Sequence, residues 1–596
     1  MDFSPKLAGT SKRRSRPAFH YLFAIAAAVA TWILYINVID SLLQIRQDLS
    51  ALNRELQENW ASLPVGTIKW WPCRNTSPGL ERMECGFVIV PLDYFNSSAG
   101  VAKVALSRLQ ATKSPKKGSV LFNPGGPGGS GVRFVAGYGP SLQFMTGEDY
   151  DAIGFDPRGI GNTLPSVKCF ADNDYDLFKV NTILDRGFDI GPNLSDPRTR
   201  DHLLLQQREA ETLYQLQYEM CGRTMGDNLR YMGTSTVARD IDFITRILEG
   251  EEAPITIFGT VIIMGLVMEQ FLARILFPER LGRVVIDGVV DAVAWAGYTE
   301  ATYDLFLSEC SKVGPSICSL AEFKDEEPAA INERIENFFK KLYFEPLSVP
   351  DATHPGILTQ GRAKSPFFIW LQTPQAWGEA AESLSSAMKG NGSTLLSQTQ
   401  SLRLRMDLAR AAVSCNDNVP RKPAPTPEEI VDESLYTLKH VSRFSLSVVT
   451  TEPDAGCQYW PVTPPERFNG PWNHTLSYPI LVHSNLLDPV TPLSSGEAVK
   501  ALLGDSARLV LREGPGHCSL SLPSLCIAKV NQQYFGNGTL PKDNYLCDVN
   551  MPLFPDPDSK DLSGLSAEDR VLMEHLYTLS DYFNFPDKRT QNNHVF

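Results

Sequence analysis

From about Trp60 onward, short apolar runs bounded by Gly and Pro alternate with longer stretches of helical periodicity. This alternation is the pattern of an α/β fold with a mostly parallel central sheet flanked by helices, because parallel neighbours must be joined by crossovers long enough to hold a helix. Residues 86–91, 119–123, 150–156, 255–259, 284–288, 479–483 and 507–512 read as the strands. Between about 290 and 474 the strand signals thin out. Helical stretches such as 329–342 and 402–413 take over there, interrupted by the Pro-rich segment 419–427. The chain therefore divides into a core over 65–290 and 475–560, a largely helical insertion over 291–474 placed as a lid, and a C-terminal tail over 561–596.

The first 64 residues are of another kind. Lys6, Lys12, Arg13, Arg14 and Arg16 precede an apolar run from Ala18 to about Ile39, long enough to span a hydrocarbon core of about 30 Å. The expectation is a basic cytosolic tail over 1–17, a transmembrane signal anchor over 18–42 and a stalk over 43–64. From the end of the anchor into the stalk, Leu42, Ile45, Leu49, Leu52 and Leu56 share one helical stripe. A cleaved signal peptide is the competing reading, with small residues such as those of 26–30 supplying the cleavage site. Either reading puts the main body in the lumen or outside the cell. Six N-x-S/T sequons, at Asn75, Asn96, Asn193, Asn391, Asn473 and Asn537, agree with that placement and are the candidate glycosylation sites.

Charge and cysteine usage narrow the classes further. The chain carries a formal −13, but residues 1–46 carry +4, so the body carries −17 and is a poor partner for nucleic acid. Eleven cysteines without a C-x-x-C pair exclude a zinc ribbon or a dithiol redox motif, and fit several disulfides plus at least one free thiol. Nine dispersed histidines show no metal-ligand spacing, and no metal or cofactor is expected. The sequence specifies no oligomeric state.

The chemistry concentrates in three loops. Residues 123–131 read NPGGPGGSG directly after a strand, a loop whose glycines can lay backbone N–H groups open to a ligand. Gly126, Gly128 and Gly131 formally satisfy G-x-G-x-x-G, with Glu148 and Asp149 about twenty residues on, but Pro124 and Pro127 remove donors that a dinucleotide would need. The other reading is an oxyanion loop, formed by Gly125, Gly126, Gly128 and Gly129. Asp488 follows one C-terminal strand and His517, in GPGHCSL, follows the next. An acid and then a histidine, each in the loop after its own strand, is the order of a hydrolase triad built on a parallel sheet.

The segments NPGGPGGSG, GFDPRGIG, LLDPVTP and GPGHCS resemble the proline-iminopeptidase and tripeptidyl-aminopeptidase branch of the α/β-hydrolases. CQYWPV at 457–462, ERFNGPW at 466–472 and NGTLP at 537–541 resemble that family's TAP-like C-terminal module, of bacterial and fungal type. The resemblance spans about 65–560. It implies an α/β-hydrolase fold beneath a helical lid, and a serine exopeptidase acting on the N-terminus of peptides. Asp488 would be the acid and His517 the base.

The nucleophile does not fit. It belongs on a G-x-S-x-G elbow after the strand at 255–259, yet the chain there reads FGTVIIMGLVMEQF and contains no Ser or Cys between Ser235 and Ser308. Counted from Gly259, Val261 fills the serine position and Ile263 the second glycine; Thr260 carries a hydroxyl one residue early. Three readings stay open: a pseudoenzyme, a misread exon boundary, or a recruited hydroxyl. The functional expectation is accordingly an exopeptidase of the serine-hydrolase kind whose nucleophile is missing. The alternatives are a silent protein binding peptides or small molecules at the membrane surface, and an esterase on the same scaffold.

Overall fold

The structure is a computed structural model that describes residues 60–74, 80–171, 174–180, 182–262, 278–289, 297–401, 407–447, 455–467, 475–554 and 562–584. The tail over 1–17, the anchor over 18–42 and most of the stalk lie outside the described residues, as do Asn75 and Asn473. Residues up to Leu63 form a separate unit, of which Trp60–Ser62 is a single 3-10 turn. Among the described residues no helix is long and apolar enough to cross a membrane.

The larger unit carries the strands β1 (Ile68–Pro72), β2 (Met83–Pro91), β3 (Val101–Leu109), β4 (Gly118–Asn123), β5 (Tyr150–Phe155), β6 (Ile255–Ile262), β7 (Leu281–Val289), the small pair β8 (Leu347–Val349) and β9 (Gly356–Leu358), and then β10 (Ile480–Leu487), β11 (Ala507–Pro515) and β12 (Tyr545–Cys547). All but β8 and β9 join one ten-stranded sheet in the order β1-β2-β3-β5-β4-β6-β7-β10-β11-β12. Pairing is antiparallel from β1 through β3 to β5 and parallel from β5 to β12. That is the sheet of an α/β-hydrolase, and it contains all seven segments that the sequence marks as strands. Residues 70–72 belong to β1, and the disulfide Cys73–Cys85 ties β1 to β2.

Helices cover both faces, as parallel strands buried on two sides require. In chain order these and the lid helices are α1 (Gly131–Thr146), α2 (Pro197–Met225), α3 (Thr234–Glu249), α4 (Thr299–Val313), α5 (Pro328–Phe344), α6 (Gln360–Gln372), α7 (Asp407–Asp417), α8 (Pro427–His440), α9 (Leu493–Leu503), α10 (Leu525–Asn537) and α11 (Ala567–Asn584). One face packs Phe122, Phe258, Val285 and Leu481 against α1, α10 and α11. The opposite face packs Leu121, Ile257, Ile286 and Val482 against α3 and α9. The stretch read as a tail thus holds a core helix, with Leu572, Leu576 and Leu579 buried on one side of α11.

The additional helices form two apolar centres. Helices α4, α5 and α6 close around Phe306, Phe339, Phe367 and Trp377. The second centre joins α7 and α8 to α2, through Tyr214, Tyr218, Ala411 and Val431. Helix α2 lies between β5 and β6, so the helical layer draws on a segment before residue 290 as well as on the insertion after it. Ten cysteines pair as Cys73–Cys85, Cys169–Cys221, Cys310–Cys318, Cys415–Cys457 and Cys526–Cys547, and Cys518 is buried outside any disulfide. Several disulfides and one cysteine outside them is the distribution expected from the sequence.

Candidate active site

The C-terminal ends of the parallel strands bring the three loops together. Asn123 at the end of β4 pairs with Gly259 on β6, Thr260 pairs with Asp287 on β7, and His483 on β10 pairs with Asp287 from the other side. The Gly-rich loop leaves β4, Asp488 leaves β10 and His517 leaves β11. In an open parallel sheet this carboxyl edge is where ligands bind.

Asp488 and His517 meet. His517 Nδ1 lies 3.0 Å from Asp488 Oδ2 and 3.1 Å from Oδ1. The carboxylate, fully buried, also accepts the N–H groups of Val490, Thr491 and Cys518 and the Thr491 hydroxyl at 2.6 Å. Burial alone would raise Asp488, but the adjacent His517 and the hydrogen bonds from His517 and Thr491 hold it below the ordinary carboxylate value. With the Nδ1 proton directed at Asp488, His517 keeps Nε2 as the base, which is the acid-orients-histidine arrangement of a triad.

The loop carrying His517 is fixed from beneath by buried polar groups. Asn485 donates to the carbonyls of Gly516 and Cys518, and the fully buried Arg512 donates to Asn485 Oδ1, Pro515 O and Ser521 Oγ. Burial pushes Arg512 down to about 10. Ser519 donates its N–H and its hydroxyl to Asp287, at 2.8 and 2.7 Å, and its oxygen lies 3.4 Å from His483 Nδ1. Burial pushes Asp287 up to about 6 against those two hydrogen bonds, and pushes His483 down to about 3, so His483 is neutral. Helices of the insertion contact both loops. The N–H of His517 donates to Gln372 O at the end of α6, and Thr299 and Thr302 on α4 donate to the carbonyls of Pro489 and Leu487.

The Gly-rich loop is built to hold one shape. Gly125, Gly126 and Gly128 have positive φ, of 68, 120 and 119°, which side chains disfavour. A Cβ on Gly129 would come within 2.6 Å of Gly125 O. Gly125 N–H donates to the Asn123 side chain and Gly129 N–H to Gly125 O, so both serve the loop itself. Of the four glycines expected to face an oxyanion, Gly126 and Gly128 keep their N–H groups clear of these two bonds. Asp156 anchors the far end, accepting from Ser130 Oγ, Val132 N–H and Asn162 N–H. Arg410 on α7 donates to Gly126 O at 2.6 Å. Glu148 and Asp149 pair with Lys113 and Lys117 instead of facing the glycines.

The turn between these groups is where the site departs from a hydrolase. β6 does not end at Gly259. It continues through Thr260 to Ile262 as paired strand, with Thr260 opposite Asp287 and Ile262 opposite Val289. The backbone of Val261 therefore lies beside Gly288, one strand spacing of about 4.8 Å away. A Cβ placed on Gly288 would lie 3.3 Å from His517 Cε1 and 3.4 Å from Thr491 Oγ1, so His517 sits over the neighbour of the position where a serine belongs. Thr260 is no substitute. Its side chain shares the face of Asp287, since partners in a parallel ladder point the same way, and its hydroxyl is buried with no hydrogen-bond partner among the described residues. Residues 263–277, where the rest of an elbow and its helix would lie, are outside the described residues.

The sequence reading of the site missed Thr491, Asn485, Arg512, Asp287, Ser519 and Asp156. Thr491 lies inside LLDPVTP and Asp156 inside GFDPRGIG, so a signal was present for these two; the others are unremarkable in sequence.

Comparison with known proteins agrees with this construction. A family model described as TAP-like protein matches residues 443–547, which span the acid and the histidine. The chain is 27% identical over 520 residues to serine protease Hip1 of Mycobacterium tuberculosis, covering 80% of this chain and 91% of that one. It is 25% identical over 513 residues to carboxylesterase B of the same organism, covering 80% and 89%. With tripeptidyl aminopeptidase of Streptomyces lividans it shares 29% identity over 231 residues, 38% of each chain. In its sheet order, its Asp488–His517 pair and the match over residues 443–547, the chain is similar to the TAP-like proteins among the α/β-hydrolases.

Proposed function

We propose that this protein descends from a serine exopeptidase releasing residues from the N-terminus of peptides, and that the chain as it stands holds peptides or other small molecules without turning them over. The observation that carries the reading is the contrast at the site. Asp488 and His517 retain triad geometry, while β6 runs as paired strand through the position of the nucleophile. In the intact machinery His517 would take the proton of an attacking hydroxyl, Asp488 would orient it, and Gly126 and Gly128 would stabilise the oxyanion. Valine at 261 offers nothing to attack with.

Two relatives are named as a protease and an aminopeptidase, which supports peptides as the ligand class. A third is named as a carboxylesterase, so an ester-handling site is the second reading. The five disulfides favour an oxidising compartment, in keeping with a basic-flanked membrane anchor that leaves the body lumenal or extracellular.

The test uses full-length protein expressed from native genomic DNA. A fluorophosphonate probe should leave the folded protein unlabelled, while short peptides bind it and lose affinity on His517→Ala. Labelling that disappears on His517→Ala would show a working nucleophile and overturn the silent-binder reading. Hydrolysis of short acyl esters but not of tripeptidyl amides would favour the esterase.

A further inference from the structure

Four of the six sequons fall within the described residues, at Asn96, Asn193, Asn391 and Asn537, and all four asparagines are exposed. Glycan transfer needs an exposed asparagine, although exposure is also the common state of this polar residue. The buried asparagines of this chain include Asn123, Asn416, Asn485 and Asn531, and none of these begins an N-x-S/T triplet.

The four exposed sites share one local geometry. Each side-chain oxygen turns back to accept the N–H two residues on, from Ser98 at 3.1 Å, Ser195 at 3.0 Å, Ser393 at 3.2 Å and Thr539 at 3.0 Å. At three of them the hydroxyl of that same residue donates to the same oxygen, at 2.6 Å from Ser98, at 2.6 Å from Thr539, and from Ser393. Asparagine favours such turns, so the turn alone identifies nothing. Its consequence is that Oδ1 is engaged within the sequon, while among the described residues Nδ2 donates to no partner.

We propose that Asn96, Asn193, Asn391 and Asn537 carry N-linked oligosaccharides. In the transfer, Nδ2 attacks C1 of an oligosaccharide carried on a polyprenyl diphosphate. The C1–N bond forms and the C1–O bond breaks. The diphosphate leaves with the bonding electrons, and the nitrogen's proton passes to a base of the transferase. The linked sugar replaces one N–H and leaves Oδ1 its acceptor role, so each turn survives modification and the folded surface needs no rearrangement. Asn193 and Asn391 lie in connections between helices, whereas Asn96 and Asn537 lie after β2 and at the end of α10.

The proposal rests on the extracytosolic placement given above, and the experiment separates the two. Protein purified from membranes of its native host is digested with peptide-N-glycosidase in ¹⁸O-water, and the four asparagines are read by mass spectrometry. Conversion of each to ¹⁸O-labelled aspartate is the expected result, with Asn→Gln at each position removing one step of electrophoretic mobility. Unmodified asparagine at these positions overturns the proposal. Protease added to the cytosolic side of sealed vesicles then reads the topology: digestion of the main body overturns the placement too, and protection overturns glycosylation alone.

Discussion

His517 Nδ1 lies 3.0 Å from Asp488 Oδ2, across the loops that follow β11 and β10, and neither residue depends on the missing elbow for its position. Asn485, Arg512 and Thr491 hold the pair in place from their own side of the sheet. An acid and base can therefore persist where the nucleophile has gone, and the consequences are measurable.

Restoring the elbow should restore hydrolysis only if the backbone is freed along with the hydroxyl. Val261→Ser alone is expected to leave tripeptidyl-amide turnover near background, because Ile262 remains paired with Val289 and β-branched residues resist the strained turn. The triple change Val261→Ser, Ile262→Tyr and Ile263→Gly should give measurable turnover that His517→Ala abolishes. Turnover of about 1 s⁻¹ or more by the unmodified chain, lost on Thr260→Ala, would show that the nucleophile is Thr260 after all.

Asp488→Asn should cost about 2–4 kcal/mol of stability, since an amide group would face three backbone N–H donors in a buried site. The sign of its pH dependence follows from the lowered value of Asp488. Its contribution is present above the ordinary carboxylate range and is lost as pH falls through the depressed folded value. Urea unfolding between pH 3 and 7 should show a shallower acid loss in the variant. Parallel curves would show that Asp488 is not the depressed group.

His483 and Asp287 should pull stability in opposite directions with pH. His483 falls from 6.5 to about 3 on folding, so between those values unfolding takes up a proton and stability rises with pH. Asp287 rises from 3.8 to about 6, so its contribution is largest below 3.8 and is lost as pH rises towards 6. Asp287→Asn should therefore steepen the rise in stability between pH 4 and 6 by up to about 1.4 kcal/mol per pH unit. An unchanged slope in urea titrations at pH 4, 5 and 6 would place Asp287 near its ordinary value.

Arg158→Lys should destabilise by about 3–5 kcal/mol despite keeping the charge. Arg158 is fully buried and forks onto both oxygens of Asp240 at 2.7 and 2.8 Å while donating to the carbonyls of Pro91 and Leu92. An ammonium group cannot reproduce that fork. A fall in midpoint denaturant concentration at constant m-value checks it; a loss under about 1 kcal/mol would mean that the cluster relaxes around lysine.

Where the sequence reading failed, the cause lies in long-range packing. β3 escaped notice because Lys103 and Arg108 interrupt its apolar run, yet their cationic heads lie over the rings of Phe87 and Trp70, which accommodates both charges on the sheet. β12 is three residues long and exists through its pairing with β11, beside the Cys526–Cys547 disulfide. Helix α2 lacks the apolar density of a core helix because its partners, Ala411 and Val431 of the lid, lie about two hundred residues away.

The sequence by itself determined the side-chain chemistry available at each position: parallel strands ending in loops, an acid and a histidine in triad order, and no oxygen or sulfur at 261 to attack a carbonyl. These are local properties, carried by residue type and spacing. Only the tertiary structure decided that Asp488 reaches His517, that Asn485 and Arg512 support the loop, which ten cysteines pair, and that β6 runs on where a turn was expected. Each of those depends on the pairing of segments distant along the chain. Whether β6 ends or continues is set by hydrogen bonds to β7, which no short stretch of sequence contains.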